Sequence, residues 1–122
     1  MLREQLKSKI HRARVTDGNV DYQGSITIPA DLMEAVDLWE GEKVLVVSIT
    51  SGARLETYAQ EGPRGSGAFV LNGGTARLID TGDRITILAF AHAREPVVAR
   101  KIVCDEDNQI ASASPNVAPL GL

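Results

Sequence analysis

The chain of 122 residues is poor in the residues that build metal sites and disulfides: one cysteine, Cys104, and two histidines, His11 and His92. A lone thiol makes no internal disulfide and no thiolate metal cluster, so a reducing cytoplasm is the expected setting. Two histidines and one cysteine argue against a dedicated zinc site, and no metal is expected. Long apolar runs are absent too, and nothing approaches the roughly 18 residues of a membrane-spanning helix. The start, Met1-Leu2-Arg3-Glu4-Gln5, lacks the apolar core of a secretory signal. There is no internal repeat and no linker, and the length suits one domain with one core. Cys104 has no motif around it and reads as an inert buried thiol. His92 sits near a charged strand end, which suits a surface or interface position.

What is present is ordinary in amount and uneven in placement. Hydrophobic residues make up 43% and charged residues 24%, as in soluble globular proteins, and the net charge is -3. Residues 1–14, however, carry Arg3, Lys7, Lys9, Arg12 and Arg14 against Glu4 alone, leaving an acidic remainder. A basic arm on an acidic body can meet nucleic acid, an acidic small molecule or another subunit, or can simply be solvated.

The hydrophobic period is two far more often than 3.6. From Leu6 to Val15 the chain alternates, with Leu6, Ser8 and Ile10 on one face and Lys7, Lys9, His11 and Ala13 on the other. Asp17-Gly18-Asn19 signals a turn. Ser25–Ile28, Lys43–Thr50, Arg54–Gln60, Ala68–Leu71, Arg84–Ala91 and Val97–Cys104 read as strands, with Ser51-Gly52 as a hairpin turn. Pro29-Ala30-Asp31 followed by Glu34 reads as a capped helix start, with Leu32, Met33 and Val36 inward and Gly41 beyond its end. Thr75–Leu78 suits one further turn. The segment 112–122 has two prolines and no period, and a loose tail is expected there. Many short strands with little helix predict a mainly β domain closed into a barrel.

The chemistry centres on Tyr22-Gln23-Gly24-Ser25, placed just before the β-prone run Ile26-Thr27-Ile28. Serine sets a hydroxyl next to the Gly24 carbonyl, and glycine permits the strained backbone that would expose it. A chain cut there by its own serine leaves residues 1–24 and 25–122, and Ser25 becomes a pyruvoyl group. Other polar residues fall where strand spacing can gather them. Lys9 and His11 share a face, and so do Arg54 and Tyr58, with Thr57 on the opposite side. Asn72-Gly73-Gly74-Thr75 ends a strand and offers unhindered N–H groups for a carboxylate. A second pair, Gly65-Ser66, lies in the loop Gly62-Pro63-Arg64-Gly65-Ser66-Gly67, whose glycines fit neither a dinucleotide fingerprint nor a phosphate loop.

Taken in order, Lys9-Ile10-His11-Arg12, Tyr22-x-Gly24-Ser25, Arg54-x-x-Thr57-Tyr58, Arg64-Gly65-Ser66-Gly67 and Asn72-Gly73 resemble the pyruvoyl-dependent aspartate 1-decarboxylases. The likeness runs from residue 5 to about 104. It implies a six-stranded double-psi β-barrel with a few short helices, assembled as a cytoplasmic homotetramer with active sites between subunits. It also implies that L-aspartate is converted to β-alanine and CO2 for pantothenate synthesis, with no metal and no pyridoxal phosphate. By resemblance, Gly24, Ser25 and Thr57 carry self-cleavage, Thr57 stabilising the oxyanion, with Tyr22, His11 and Asn72 as supports. The Ser25-derived pyruvoyl forms a Schiff base with the substrate, Tyr58 returns a proton, and Lys9, Arg54, Thr57, Gly73, Gly74 and Thr75 bind the substrate. Whether a maturation factor assists the cut is left open. The chain departs from the family at Gly74-Thr75, where alanines are common, and at Val47, where some members carry tryptophan; Trp39 lies in another element.

A second resemblance is shorter. Ile26 to Leu32 with Trp39 to Val44 is similar to the swapped-hairpin transcription regulators, which bind DNA through a basic surface. It covers about 20 residues of a generic strand, helix and glycine-turn unit, and the negative net charge opposes phosphate-dominated binding.

Overall fold

Eleven elements build the domain in the computed structural model, which describes residues 1–118. Nine are strands: β1 Arg3–Arg14, β2 Asp17–Asn19, β3 Ser25–Pro29, β4 Lys43–Ser48, β5 Arg54–Gly62, β6 Val70–Asn72, β7 Arg84–Ala93, β8 Arg100–Cys104 and β9 Ile110–Ala113. Two are short helices, α1 Ala30–Ala35 and α2 Thr75–Leu78. The class is mainly β, as expected, but the strands number nine where six were expected. No helix of the described residues is long and apolar enough to cross a membrane.

The difference in number has a simple geometry. Six strands lie side by side in the order β6-β3-β5-β4-β7-β1. The chain leaving β1 then closes them into a ring. Thr16 N donates to Phe69 O at 2.9 Å, Thr16 Oγ1 accepts from Phe69 N at 3.0 Å, and β2 runs parallel to β6 from Asp17↔Val70 to Asn19↔Asn72. So β2 is the continuation of β1, and Asp17–Asn19 is a strand and not the expected turn, which follows at Val20 and Asp21. β8 adds in parallel to the other stretch of the β1 edge, Ser8–His11, and carries β9 as its antiparallel partner. Strand alternation sends Ile26, Ile28, Val44, Val46, Ile85 and Ile87 into the ring, each at most 1% exposed. Each such side chain contributes about 1.5–3 kcal/mol when fully buried.

Local departures from simple alternation are visible. Ala13 was expected on the Lys9 face, yet it is fully buried. Arg12 takes a positive φ of 65°, and the β1–β7 register shifts between His11 and Ala13, so a bulge returns Ala13 to the inside. In α1, Leu32, Met33 and Ala35 are buried as the spacing requires, but no side chain caps its start. Glu34 pairs instead with Arg64 at 2.6 Å, and Asp31 Oδ1 accepts from Gly65 N at 2.8 Å, tying the 62–67 loop to the helix.

β8 begins at Arg100, three residues after the expected strand start. The expected loose tail also needs correction for residues 112–118. Ser112 and Ala113 finish β9 against Val103 and Ile102, Ser114 N donates to Lys101 O, and Val117 packs on the core. The rest of that expectation, residues 119–122, lies outside the described residues. The β8–β9 turn is pinned by buried Asn108, whose Nδ2 donates to Arg14 O at 2.9 Å and Gly67 O at 2.8 Å. Its positive φ of 56° is one that asparagine tolerates.

Candidate active site

Ser25 opens β3 and is fully buried. The antiparallel register sets it across from Asn72 on β6, and Asn72 Nδ2 donates to Ser25 Oγ at 2.9 Å and to Thr27 Oγ1 at 3.0 Å. The hydroxyl proton has its better acceptor in Gln60 Oε1 at 3.1 Å, with Gln23 O at 3.4 Å as the weaker one. Gln60 Nε2 in turn donates to the Tyr22 hydroxyl at 3.4 Å. Neutral amides therefore hold the serine on both sides, and no ionised side chain among the described residues bonds to its oxygen. Every buried side-chain nitrogen or oxygen among them has a partner. The arrangement fixes a serine hydroxyl next to a peptide carbonyl without placing a charged group on it.

The glycine beside it behaves differently from expectation. Gly24 is not among the residues with positive φ, and a Cβ placed on it would meet nothing within 4 Å. The tight spot is Gly73, with φ of 65°. A Cβ there would come within 2.7 Å of Gly24 N, 2.8 Å of Gly24 Cα and 2.8 Å of Tyr22 O. The Asn72-Gly73 turn is thus pressed against the segment that would be cut, and Gly73 N donates to Asn19 O at 2.7 Å to hold it there.

Of the other expected residues, Thr57 and Tyr58 lie on β5 just before the parallel ladder with β3 begins at Ile26↔Ala59. Tyr58 is 39% exposed; Thr57 is half-buried on the side of Leu55 and Ala59, and its hydroxyl makes no hydrogen bond among the described residues. Arg54 stands four residues before Tyr58, roughly 13 Å along an extended strand. Its ladder partner is Val47, one of the departures from the family pattern. Thr75, another, turns its hydroxyl to Asn72 O at 2.7 Å and so braces the residue that holds Ser25. The N–H groups of Gly74 and Thr75 carry no bond among the described residues.

Lys9 and His11 are not brought to Ser25 within one chain. Ser25 faces Asn72, whose β2 neighbour is Asn19, ten residues after Lys9, and neither Lys9 nor His11 bonds to Ser25 among the described residues. Lys9 and His11 instead line a groove of about 370 Å³ with Lys101, Ser112 and Ser114. The His11 ring bonds Thr86 Oγ1 through Nδ1 at 2.9 Å. Burial, then the positive charges of Lys9 and Arg12, hold its pKa below the ordinary 6.5. The alternative Gly65-Ser66 pair lies in an exposed loop, where Ser66 Oγ accepts only a local bond from Ala68 N.

Gln60 is the site residue that the sequence reading did not single out. The signal existed: it follows Tyr58 by two on β5 and therefore shares its face. Glutamine on a strand has no motif of its own, and only the register Thr27↔Gln60 ties it to Ser25.

A family model described as Aspartate decarboxylase matches residues 1–111. The Aspartate 1-decarboxylase of Halalkalibacterium halodurans is 50% identical over 114 residues, covering 90% of each chain. That of Bacillus thuringiensis (strain Al Hakam) is 48% identical over 117 residues, again 90% of each. Among solved structures, the rationally designed mkDPBB_sym_86 protein aligns with a TM-score of 0.49 and 10% identity, over 65% of this chain and 91% of its own.

Proposed function

The chain belongs to the aspartate decarboxylase family, and on that footing we propose that it decarboxylates L-aspartate to β-alanine after making its own pyruvoyl group from Ser25. The observation that carries this reading is the buried Ser25 hydroxyl clamped between Asn72 and Gln60, with Gly73 pressed on Gly24.

Cleavage begins when Ser25 Oγ adds to the Gly24 carbonyl carbon and the Gly24–Ser25 amide gives way to an ester. Thr57 stabilises the oxyanion of that step; such donors are worth about 3–4 kcal/mol. Loss of the Ser25 α-proton with departure of the Gly24 carboxylate leaves a dehydroalanine, and water then replaces its nitrogen as ammonia. Asn72 and Gln60 supply the positioning, and the Asn72 amide N–H is a donor suited to the carbonyl oxygens of a pyruvoyl end. A pyruvoyl group supplies a ketone that takes up an amine and draws off the electrons released when CO2 leaves.

The remaining work falls to side chains. Arg54 grips one substrate carboxylate with its fork, and Lys9 faces the other as a point charge. The N–H groups of Gly74 and Thr75, next to Gly73, cradle the same carboxyl region, and Tyr58 returns a proton to the carbon that lost CO2. Because Lys9 and His11 line a groove that does not include Ser25, the site is completed by a neighbouring subunit of a cytoplasmic homotetramer. β-Alanine then serves pantothenate synthesis.

Turnover of L-aspartate tests this. The wild-type protein should release CO2 and β-alanine, and Ser25→Ala should release neither. Mixing Ser25→Ala with Lys9→Ala subunits should restore part of the activity that each lacks alone; an active Ser25→Ala protein would overturn the reading.

A further inference from the structure

The basic arm does not use its charges evenly. Lys7 pairs with Glu42 at 3.2 Å and Arg14 with Glu106 at 3.1 Å. Lys9 has no carboxylate within 4 Å among the described residues, and neither has Lys101. Yet these two lysines are ladder partners: the parallel register of β1 and β8 sets Lys9 beside Lys101 and Ile10 beside Ile102. Both isoleucines are 1% exposed and face the core, so alternation turns both ammonium groups outward on one face. Like charges side by side on a sheet repel. Here that repulsion is left uncompensated in a groove of about 370 Å³, large enough for a small organic ligand. His11 lines the same groove but is turned to Thr86, and Ser114 Oγ is engaged by Lys101 N at 3.0 Å. The two ammonium groups remain for an incoming anion.

We propose that Lys101 joins Lys9 in a two-ammonium subsite for one carboxylate of a dicarboxylic ligand, and so sets selectivity for dicarboxylates over monocarboxylic amino acids. The inference rests on the proposed aspartate chemistry for its substrate but on the β1–β8 register for its geometry. Neighbouring strands lie about 4.8 Å apart, so two lysine stems converge on the two oxygens of one carboxylate.

Succinate, an unreactive dicarboxylate, probes the subsite in the uncut Ser25→Ala protein by calorimetry, beside aspartate kinetics in the cut enzyme. Lys101→Met should weaken succinate binding about 10-fold, the scale of one lost charged hydrogen bond. It should raise KM for aspartate similarly with kcat within about twofold, and Lys101→Arg should recover most of both. Unchanged succinate binding and KM in Lys101→Met would overturn the proposal, as would a wild-type protein that binds no succinate. A change in oligomeric state at constant KM would overturn it too, assigning Lys101 to a subunit contact. If aspartate is not turned over but Lys101→Met still loses succinate, the subsite stands and the proposed reaction fails.

Discussion

Asn72 and Ser25 face each other across the β3–β6 ladder, and the Asn72 amide divides its two hydrogens between the Ser25 and Thr27 hydroxyls at 2.9 and 3.0 Å. One side chain thus orients the Ser25 hydroxyl and satisfies its neighbour. Asn72→Ala should destabilise the uncut fold by about 1–3 kcal/mol, the range for buried hydroxyls deprived of a partner. It should also slow the appearance of fragment 25–122. Denaturant unfolding in a Ser25→Ala background and a time course of intact masses measure the two effects separately; equal stability and equal cutting would sink the assignment.

Gly73 and Gly24 should respond in opposite ways to alanine. At Gly73 a methyl meets backbone atoms at 2.7–2.8 Å from a positive φ, so Gly73→Ala must displace the Tyr22–Gly24 segment. A loss above about 1 kcal/mol and impaired cutting are expected. At Gly24 a methyl meets nothing within 4 Å, and Gly24→Ala should change the stability of the uncut chain by less than about 0.5 kcal/mol. Thermal unfolding of both variants compares them; a Gly73→Ala protein as stable as wild type would contradict the packing.

His11 has its pKa held below 6.5, by burial first and then by Lys9 and Arg12. The unfolded chain binds a proton at His11 more readily than the folded one, so stability should fall as pH drops through 6.5 toward the lowered value. His11→Asn should flatten that part of the profile. Chemical denaturation from about pH 5 to 8 reads it, in the interval where an ordinary histidine titrates. A difference between the two proteins that grows with acid in favour of wild type would reverse the sign.

Cys104 is 4% exposed, and its thiol pKa is pushed up to about 12, by burial first and then by Asp105, with Arg84 opposing. Iodoacetamide at about pH 8 should leave the native thiol unlabelled and alkylate it once the chain is unfolded, because only the thiolate reacts. Rapid labelling of the native protein would contradict the burial.

Strand positions and the residues around Ser25 were largely legible in the sequence, since alternation and the order of polar motifs are local. Tyr22, Ser25, Asn72 and Gly73 do meet. What stayed hidden depended on long-range pairing. Asp17-Gly18-Asn19 has turn composition but is recruited as a strand by β6. Ala13 changes face because of a bulge at Arg12, which no alternation rule signals. The 112–118 segment looks unstructured by composition, yet β8 and the core hold it. Gln60 acquires its role only through its place beside Thr27. The glycine-only backbone expected at Gly24 is found at Gly73, because the close approach is made by the opposite side of the turn.

The intact mass under denaturing conditions bears most directly on self-processing at Ser25. Freshly purified wild-type protein should resolve over time into residues 1–24 and residues 25–122, the larger fragment gaining mass with hydroxylamine as a ketone does. Ser25→Ala should stay as one chain of 122 residues. A single uncut wild-type chain that turns over aspartate, or a cut at Gly65-Ser66 giving near-equal halves, would contradict it.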